Sequence, residues 1–197
     1  MGLFSPLFRM LGFKEKNVRI LVVGLDNSGK TTLVNHIKPK KAQATFEVTP
    51  TVGYQVEEFT KHNLSFTVLD MSGASRYRSL WESSYETASA IMFVMDSTDK
   101  IRMCVARDEL DELLMSPKLQ AKAIPILFFA NKMDVPGSLT PVDCMKVMAL
   151  ERITNKPWHI TSSNALTGAG VDDGVEWLAG KLMESGDDDG GGKYGHK

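Results

Sequence analysis

Short apolar runs alternate with amphipathic segments along most of the chain. Val18–Val23 is a continuous, mostly branched apolar run that ends at Gly24, a pattern typical of a strand buried on both faces. Two apolar segments flank Lys61-His62-Asn63 and predict an antiparallel hairpin. The predicted strands are Val18–Val23, Val52–Thr60, Leu64–Leu69, Ala90–Met95, Ile124–Ala130 and Trp158–Thr161, and the predicted helices are about Lys30–Ile37, Ile101–Met115, Pro141–Leu150 and Val171–Glu184.

This alternation of strands and helices predicts an α/β fold, a mostly parallel central sheet with helices on both faces. In sheets of this kind, ligands bind at the carboxyl ends of the strands. The candidate motifs follow predicted strands or the loop over residues 40–51. We therefore expect a single site at this edge of one monomeric domain, residues 16–185.

Both ends of the chain differ from this domain. Residues 1–15 are predicted to form an amphipathic helix that reaches a membrane surface, with Lys14 and Lys16 at the lipid headgroups. Its apolar face consists of Leu3, Phe4, Leu7, Phe8 and Leu11. The alternative is a helix that packs permanently on the domain. Residues 186–197 are acidic and rich in glycine, which is typical of a disordered tail.

Composition and charge exclude several classes of protein. The 197 residues carry a formal net charge of -1, which provides no electrostatic surface for nucleic acid. The two cysteines are too few for a disulfide framework, and the chain lacks a secretory signal and an apolar run long enough to span a bilayer. We expect a cytoplasmic protein that associates reversibly with membranes. Acylation of Gly2 is not expected, since Pro6 stands where the myristoylation pattern requires Ser or Thr.

The segment between the first predicted strand and the first helix matches a phosphate-binding loop, G-x-x-x-x-G-K-[ST]. It consists of Gly24, Leu25, Asp26, Asn27, Ser28, Gly29, Lys30, Thr31 and, one residue further, Thr32. Backbone N–H groups and the helix N-terminus would face the phosphates, Lys30 would reach the β- and γ-phosphates, and Thr31 would bind Mg²⁺. The alternative is a chance match in a glycine-containing turn, and the motif alone does not identify the base.

Two further segments predict the metal site. Asp70 ends a predicted strand, where a carboxylate can hold Mg²⁺, and Gly73 completes a D-x-x-G pattern in which a backbone N–H can approach the γ-phosphate. Thr51 lies in the loop before the hairpin and could close over the same ion. Each of these residues alone could be an ordinary turn residue, and their order along the chain favours the metal site, Thr31, Thr51 and Asp70.

Asn131-Lys132-Met133-Asp134 follows the fifth predicted strand and indicates a site for guanine. The Asp134 carboxylate can accept hydrogen bonds from N1–H and the 2-amino group of guanine, a donor pair that adenine lacks. Lys132 can lie along the base, Asn131 can connect this loop to the phosphate loop, and Ser162 can donate a backbone N–H to O6. The N-K-x-D pattern could alternatively be an ordinary surface turn. The whole protein could alternatively be a nucleotide kinase, a class of enzyme that has the same phosphate loop.

These elements, in this order, resemble the Ras-type superfamily of small GTPases. The GLDNSGKTT segment, the PTVGY loop, the tryptophan of RYRSLWE and FFANKMD are similar to the ADP-ribosylation factor family, which also has an amphipathic N-terminal extension. DMSG, RYRSLW, IPILFFANKMD and KPWHI resemble its ciliary branch, the Bardet–Biedl syndrome group. The resemblance covers residues 1 to about 184.

The resemblance implies a switch between GDP and GTP, with an exchange factor and an activating protein as partners. GTP binding would shift the hairpin over Val52–Leu69 and release the N-terminal helix to a membrane. Relatives of the ciliary branch recruit a coat complex, the BBSome, for transport of membrane proteins, and this implies a location at the base of the cilium or flagellum.

Two departures from the family pattern change the expected activity. Ala74 stands where the family has a glutamine that orients the attacking water, so we assign no catalytic residue and predict very slow GTP hydrolysis. A GTP-locked scaffold with negligible hydrolysis is the alternative. The expected effector positions are Tyr54, Leu69 and Ser84, with Tyr85 adjacent, and Ser84 is a weak binding residue that makes the effector surface differ from the family pattern.

Overall fold

The computed structural model describes residues 16–39 and 51–185. The strands are β1 (Lys16–Val23), β2 (Tyr54–Lys61), β3 (Leu64–Met71), β4 (Ala90–Asp96), β5 (Ile126–Asn131) and β6 (Trp158–Ser162). The α-helices are α1 (Lys30–Ile37), α2 (Glu82–Tyr85), α3 (Met103–Met115), α4 (Pro117–Gln120), α5 (Pro141–Val147) and α6 (Val171–Glu184). Within these described residues, 3-10 helices cover Ser75–Leu80 and Leu150–Arg152.

The six strands form one sheet in the order β2-β3-β1-β4-β5-β6. Only β2 is antiparallel, and it pairs with β3; the other neighbouring strands are parallel. Side chains of a strand point alternately to opposite faces, so Leu21 and Val23 contribute to one core and Ile20 and Val22 to the other. This sheet confirms the predicted α/β class.

Helices cover each face of the sheet. Leu110 of α3 and Cys144 of α5 pack in one core, while Leu33 of α1 and Leu178 of α6 pack in the other. The central strands are buried on both faces, as in β5, whose six residues are all buried. Buried parallel strands leave their loops at the sheet edges as the places where polar residues can gather.

Several strand ends differ from the predicted bounds, and β2 covers Tyr54–Lys61 rather than Val52–Thr60. The turn of the hairpin consists of His62 and Asn63, whose φ angles of 50° and 61° fit a two-residue turn in which both residues are left-handed. β3 continues to Met71, so Asp70 lies within the strand rather than after it. β5 begins at Ile126, directly after Pro125, which has no N–H to donate to a strand ladder.

Helix ends differ from the predicted bounds where side chains or backbone geometry intervene. α3 begins at Met103 rather than Ile101 because the Asp99 carboxylate accepts a hydrogen bond from the backbone N–H of Arg102 (3.0 Å) and holds a turn there. α5 ends at Val147, and the left-handed Ala149 (φ 52°) separates it from the 3-10 turn that follows. The short helices over Ser75–Leu80, Glu82–Tyr85 and Pro117–Gln120 were not predicted.

Among residues 16–39 and 51–185, no helix has the length and apolar character needed to cross a bilayer. The predicted N-terminal helix over residues 1–15, its membrane-facing residues and the predicted tail over residues 186–197 lie outside the described residues. Most of the predicted loop over residues 40–51 does so as well.

Candidate functional site

A cavity of about 590 Å³ opens at the carboxyl edge of the sheet. This volume falls in the range of sites that hold a cofactor or small-molecule ligand. The predicted site residues that line it are Asp26, Asn27, Gly29, Lys30, Thr31, Thr32, Thr51, Gly73, Asn131, Lys132 and Asp134, together with Ala74. Five separate loops thus meet at one place.

The loop between β1 and α1 turns sharply at Gly29, which has a φ of +93° and precedes the first helical residue. A Cβ at this position would lie 2.3 Å from the Asn131 amide nitrogen, so the position requires glycine for its space as well as for its φ. Three residues of this loop do not line the cavity: Gly24, Leu25 and Ser28. Leu25 and Ser28 are buried. Gly29 and the first three residues of α1 line the cavity, so the N-terminus of this helix lies at its wall.

Lys30 is buried (6% exposed) and donates its ammonium to the Leu25 carbonyl oxygen at 2.8 Å. Burial lowers the pKa of Lys30 to about 8, and the Asp70 and Asp26 carboxylates offset part of that effect. A buried ammonium in contact with a neutral carbonyl gains from an anion placed beside it. Lys30 is thus suited to bind a phosphate group.

Three oxygen-bearing side chains meet beside Lys30. Thr31 Oγ1 donates to Asp70 Oδ2 at 2.5 Å and lies 3.1 Å from Thr51 Oγ1. Burial raises the pKa of Asp70, opposed by the Thr31 hydrogen bond and by Lys30. Asp70 Oδ1 is buried and has no hydrogen-bond partner in the described part of the chain. An unpartnered carboxylate oxygen next to two hydroxyl groups is a donor set that fits a hard divalent cation such as Mg²⁺.

The segment after β3 lies against the phosphate loop. A Cβ on Gly73 would lie 2.2 Å from the Leu25 carbonyl carbon and 2.3 Å from the Asp26 nitrogen, so only glycine allows this approach. The Trp81 indole N–H donates to the Ser72 carbonyl oxygen (3.0 Å), and Arg78 Nε donates to the Gly73 carbonyl oxygen (2.9 Å). These bonds fix the backbone on which Ala74 sits, with its methyl group at the cavity wall.

Asn131 connects three loops from a position at the end of β5. Its amide nitrogen donates to the Ser28 carbonyl oxygen (2.8 Å), and its amide oxygen accepts from the Ala165 N–H (3.0 Å) and the Ser163 hydroxyl (3.2 Å). Asn131 is 1% exposed, so these bonds are shielded from water. The predicted connection to the phosphate loop is present in the structure.

Lys132 and Asp134 follow Asn131 at the far end of the cavity. Lys132 Nζ lies 2.7 Å from Asp96 Oδ2, which orients the stem of the lysine along the cavity wall. Asp96 itself is held by the backbone N–H and hydroxyl of Thr98. The Asp134 carboxylate is exposed at the cavity wall, where it can accept hydrogen bonds from a ligand.

Ser162 does not line the cavity, in contrast to the sequence-based expectation. β6 runs one residue further than predicted and ends at Ser162, and the chain enters the cavity wall only at residues 164–166. Ala165, whose N–H donates to Asn131 Oδ1, lines the cavity there. Loops after strands begin where the ladder ends, and a shift of one residue in that end changes which N–H groups face the cavity.

Sequence reasoning missed several residues of the site. Arg76 and Tyr77 line the cavity, with the Arg76 guanidinium 4.8 Å from the Tyr77 ring centroid. Arg102 holds the phosphate loop from outside, since its Nη1 donates to Asp26 Oδ1 at 3.0 Å. The RYR segment was noted in the sequence only as a family marker, and nothing in the spacing of Arg102 indicates its contact with Asp26.

The expected effector positions differ in exposure. Tyr54 is 55% exposed, and it lies with Val52 and Val56 on an exposed apolar strip of the edge strand and its entry. Leu69 and Tyr85 are buried, and Ser84 is half-buried. Tyr54 is therefore the most exposed of the expected positions.

Comparison with known proteins gives consistent relatives. ADP-ribosylation factor-like protein 6 of Danio rerio is 51% identical over 182 residues, which are 92% of this chain and 97% of that protein. The protein of the same name from Caenorhabditis elegans is 42% identical over 188 residues, 94% of this chain and 98% of that protein. The structure of the Arl6 BBS3 small GTPase from Trypanosoma brucei, with bound nucleotide analogue GppNp, has a TM-score of 0.80 and 38% identity and covers 86% of this chain and 99% of that chain.

The family comparison agrees with these relatives. The model of the ADP-ribosylation factor family matches residues 4–182, and the sheet, the phosphate loop and the loop after β5 all lie within that range. With its family match over most of its length and relatives that it covers almost completely, the chain belongs to the ADP-ribosylation factor family.

Proposed function

We propose that this protein is a GTP- and GDP-binding molecular switch that uses Mg²⁺. The observation that carries the proposal is that one cavity is lined by Lys30, Thr31, Thr51 and Asp134, with the buried Asp70 hydrogen-bonded to Thr31 behind its wall. The bound nucleotide analogue in the Trypanosoma brucei relative supports the same ligand class.

The phosphates of the nucleotide would bind at the turn before α1. Lys30 supplies a buried positive charge, and the backbone N–H groups of residues 29–31 would supply hydrogen-bond donors at the helix N-terminus. Gly73 lies against this loop and lines the same cavity. The γ-phosphate would approach the Gly73 backbone, so a triphosphate and a diphosphate would contact this segment differently.

Mg²⁺ would be held by Thr31, Thr51 and Asp70. The unpartnered Oδ1 of buried Asp70 supports this assignment, since a bare carboxylate oxygen in a buried site is costly without a cation. The ion supplies charge neutralisation to the phosphates when bound. Thr51 belongs to the loop before the hairpin, so its position couples that loop to the nucleotide.

Guanine would bind between Lys132 and the loop over residues 164–166. Asp134 would accept from N1–H and the 2-amino group of the base. Adenine offers the Asp134 carboxylate no donor pair. Selection for guanine thus depends on Asp134.

Titration with a fluorescent GDP analogue in the presence of Mg²⁺ tests this proposal. Lys30→Ala and Asp134→Ala should each weaken binding at least about 100-fold, because each removes a charged hydrogen-bonding partner from the ligand. Asp108→Ala and Lys146→Ala change exposed residues on α3 and α5, away from the cavity, and should bind normally. Unchanged affinity in both site variants would contradict the proposal.

Hydrolysis is proposed to be very slow. The Ala74 methyl group lies at the cavity wall and offers no hydrogen bond to a water molecule. The same observation favours the second candidate function, a GTP-locked scaffold with negligible turnover. Following bound GTP over hours with and without a cell extract separates the two, since a switch loses its GTP when an activating protein is added and a locked scaffold does not.

Association with membranes in the GTP state is proposed for the segment over residues 1–15. Its apolar positions at helical spacing support this, together with its match to a family that has such an extension. Co-sedimentation with liposomes should be greater for protein loaded with a non-hydrolysable GTP analogue than for protein loaded with GDP, and Phe8→Asp should remove the difference. Binding that is indifferent to nucleotide and to Phe8→Asp contradicts membrane switching and favours a permanently packed helix.

Recruitment of a BBSome-like coat in ciliary transport is proposed from the relatives, one of which carries the name BBS3. In an extract of ciliated cells, immobilised protein should retain coat subunits when loaded with the GTP analogue and not when loaded with GDP. Tyr54→Ala, which truncates an exposed side chain on β2, should reduce that retention. Equal retention in both nucleotide states contradicts an effector role.

A further inference from the structure

A second cavity, of about 490 Å³, lies between the segment over residues 75–85 and the C-terminal half of α3. It does not share a lining residue with the first cavity. Its wall includes three carboxylates, Glu82, Glu109 and Glu112, and one cation, Arg78. We refer to it as the acidic cavity.

Ion pairs neutralise two of these carboxylates. Arg78 Nη1 lies 2.5 Å from Glu109 Oε1, and Lys118, just outside the wall, lies 3.3 Å from Glu82 Oε1. Glu112 has no ion-pair partner among residues 16–39 and 51–185. The acidic cavity therefore holds one uncompensated negative charge.

The second observation is a buried hydroxyl group. Ser116 lines the acidic cavity, is only 9% exposed, and its Oγ has no hydrogen-bond partner in the described part of the chain. Buried side-chain hydroxyls are normally satisfied, and an exception indicates a missing partner. Glu112 and Ser116 are four residues apart, so they lie on the same face of α3 and its end.

The end of α3 adds to the negative potential. The helix ends at Met115, and the carbonyl groups of a last turn carry a partial negative charge that favours a cation. Burial, and next the carboxylates of Glu112, Glu82 and Glu109, raise the pKa of Tyr85, whose buried ring forms part of the wall. The phenol thus stays neutral and adds no competing charge.

Met115 completes the surface. Its side chain is 70% exposed and lies at the rim of the acidic cavity, next to Glu112 and Ser116. Methionine is a flexible apolar contact that adapts to a partner. The aliphatic stem of a lysine or arginine can lie on Met115 while its charged head reaches Glu112.

We propose that the acidic cavity receives a lysine or arginine side chain from a protein partner, with Glu112 and Ser116 as the acceptors of its charged head. Charge complementarity selects this occupant, since one carboxylate and one hydroxyl oxygen await donors and the only cation in the wall is already paired.

The occupant of the acidic cavity would also respond to the nucleotide, a point that rests on the proposed switch function. One wall continues directly from Gly73 and Ala74, which line the first cavity. Arg78 spans the two, since its Nε donates to the Gly73 carbonyl oxygen while its Nη1 pairs with Glu109. A partner bound in the acidic cavity therefore contacts the segment that the γ-phosphate positions.

The test is a titration of the full-length, isotope-labelled protein with N-acetyl-arginine methylamide, followed by amide chemical shifts. Saturable shifts centred on Glu112 and Ser116 are expected, with a Kd of about 1–10 mM. N-acetyl-citrulline methylamide has nearly the same shape without the charge and should give no saturable shift. The protein loaded with a GTP analogue should bind the arginine compound more tightly than the GDP form.

Variants make the assignment specific. Glu112→Gln and Ser116→Ala should each raise Kd about fivefold, and Glu151→Gln, at an exposed residue that does not line the acidic cavity, should not change it. Nucleotide content is measured first in every sample. Protein that holds no guanine nucleotide contradicts the proposed function. Loaded protein that binds both compounds equally, or binds neither, overturns this inference alone.

Discussion

Among single residues, Ala74 lies at the cavity wall, at the position where the resemblance to the family implies a glutamine. Its N–H lies 3.4 Å from the Ser72 hydroxyl, and the neighbouring Gly73 carbonyl is held by Arg78. These contacts are made by backbone atoms or by other side chains, so the backbone at position 74 does not depend on what the side chain is. A longer side chain at this position would extend into the cavity without disturbing the backbone of residues 72–74.

Ala74→Gln should therefore restore hydrolysis without changing nucleotide affinity. A glutamine amide can orient the attacking water, and we expect the single-turnover rate to rise on the order of tenfold or more. Ala74→Leu, which has a side chain of similar bulk without the amide, is the control and should stay as slow as the parent protein. Equal rates for the parent and Ala74→Gln would show that other residues already position the water.

At the scale of secondary structure, two glycines of α6 meet different surroundings. A Cβ on Gly174 would lie 2.9 Å from Phe129 Cε1 and 2.9 Å from Thr161 Cγ2, because the helix packs closely on β5 and β6 there. Gly180, on the same helix, is exposed, and a Cβ there would meet no atom within 4 Å.

Gly174→Ala and Gly180→Ala should thus have opposite effects on stability. The first overpacks the contact with the sheet and should lower the free energy of unfolding by about 1–3 kcal/mol. The second only improves helix propensity and should raise it by about 0.5–1 kcal/mol. Chemical denaturation at one fixed nucleotide concentration measures both, and the same sign for the two variants would mean that α6 does not pack as described.

The sequence predicted most elements because their signals are local. β1, α1 and α6 combine a continuous period with clear ends, and their predicted bounds agree with the structure to within two residues. The sequence of residues 75–85 shows no such period. Hydrogen bonds from the Arg78 and Trp81 side chains to backbone carbonyl groups hold this segment, and a pattern of apolar residues does not reveal them. The position of Ser162 was not predicted either, because it depends on where the hydrogen-bonded pairing of β6 with β5 ends.

At the scale of the whole molecule, the site exists only because distant segments meet. Thr31 and Asp70 are joined by a hydrogen bond across 39 residues, and Asn131 reaches Ser28 across 103. The sequence could predict that these residues share one sheet edge, since each motif follows a strand. It could not predict the contacts of Arg102, Arg76 and Ala165, which depend on how the loops pack.

The central claim is that one cavity binds a guanine nucleotide by its phosphates and by its base. The most direct measurement is to incubate nucleotide-free protein with equal concentrations of GTP and ATP and Mg²⁺, and then to identify and count the bound nucleotide. We predict about one guanine nucleotide per chain and almost no adenine nucleotide, with the guanine preference lost in Asp134→Ala. Equal amounts of the two nucleotides on the parent protein, or none of either, would contradict the account.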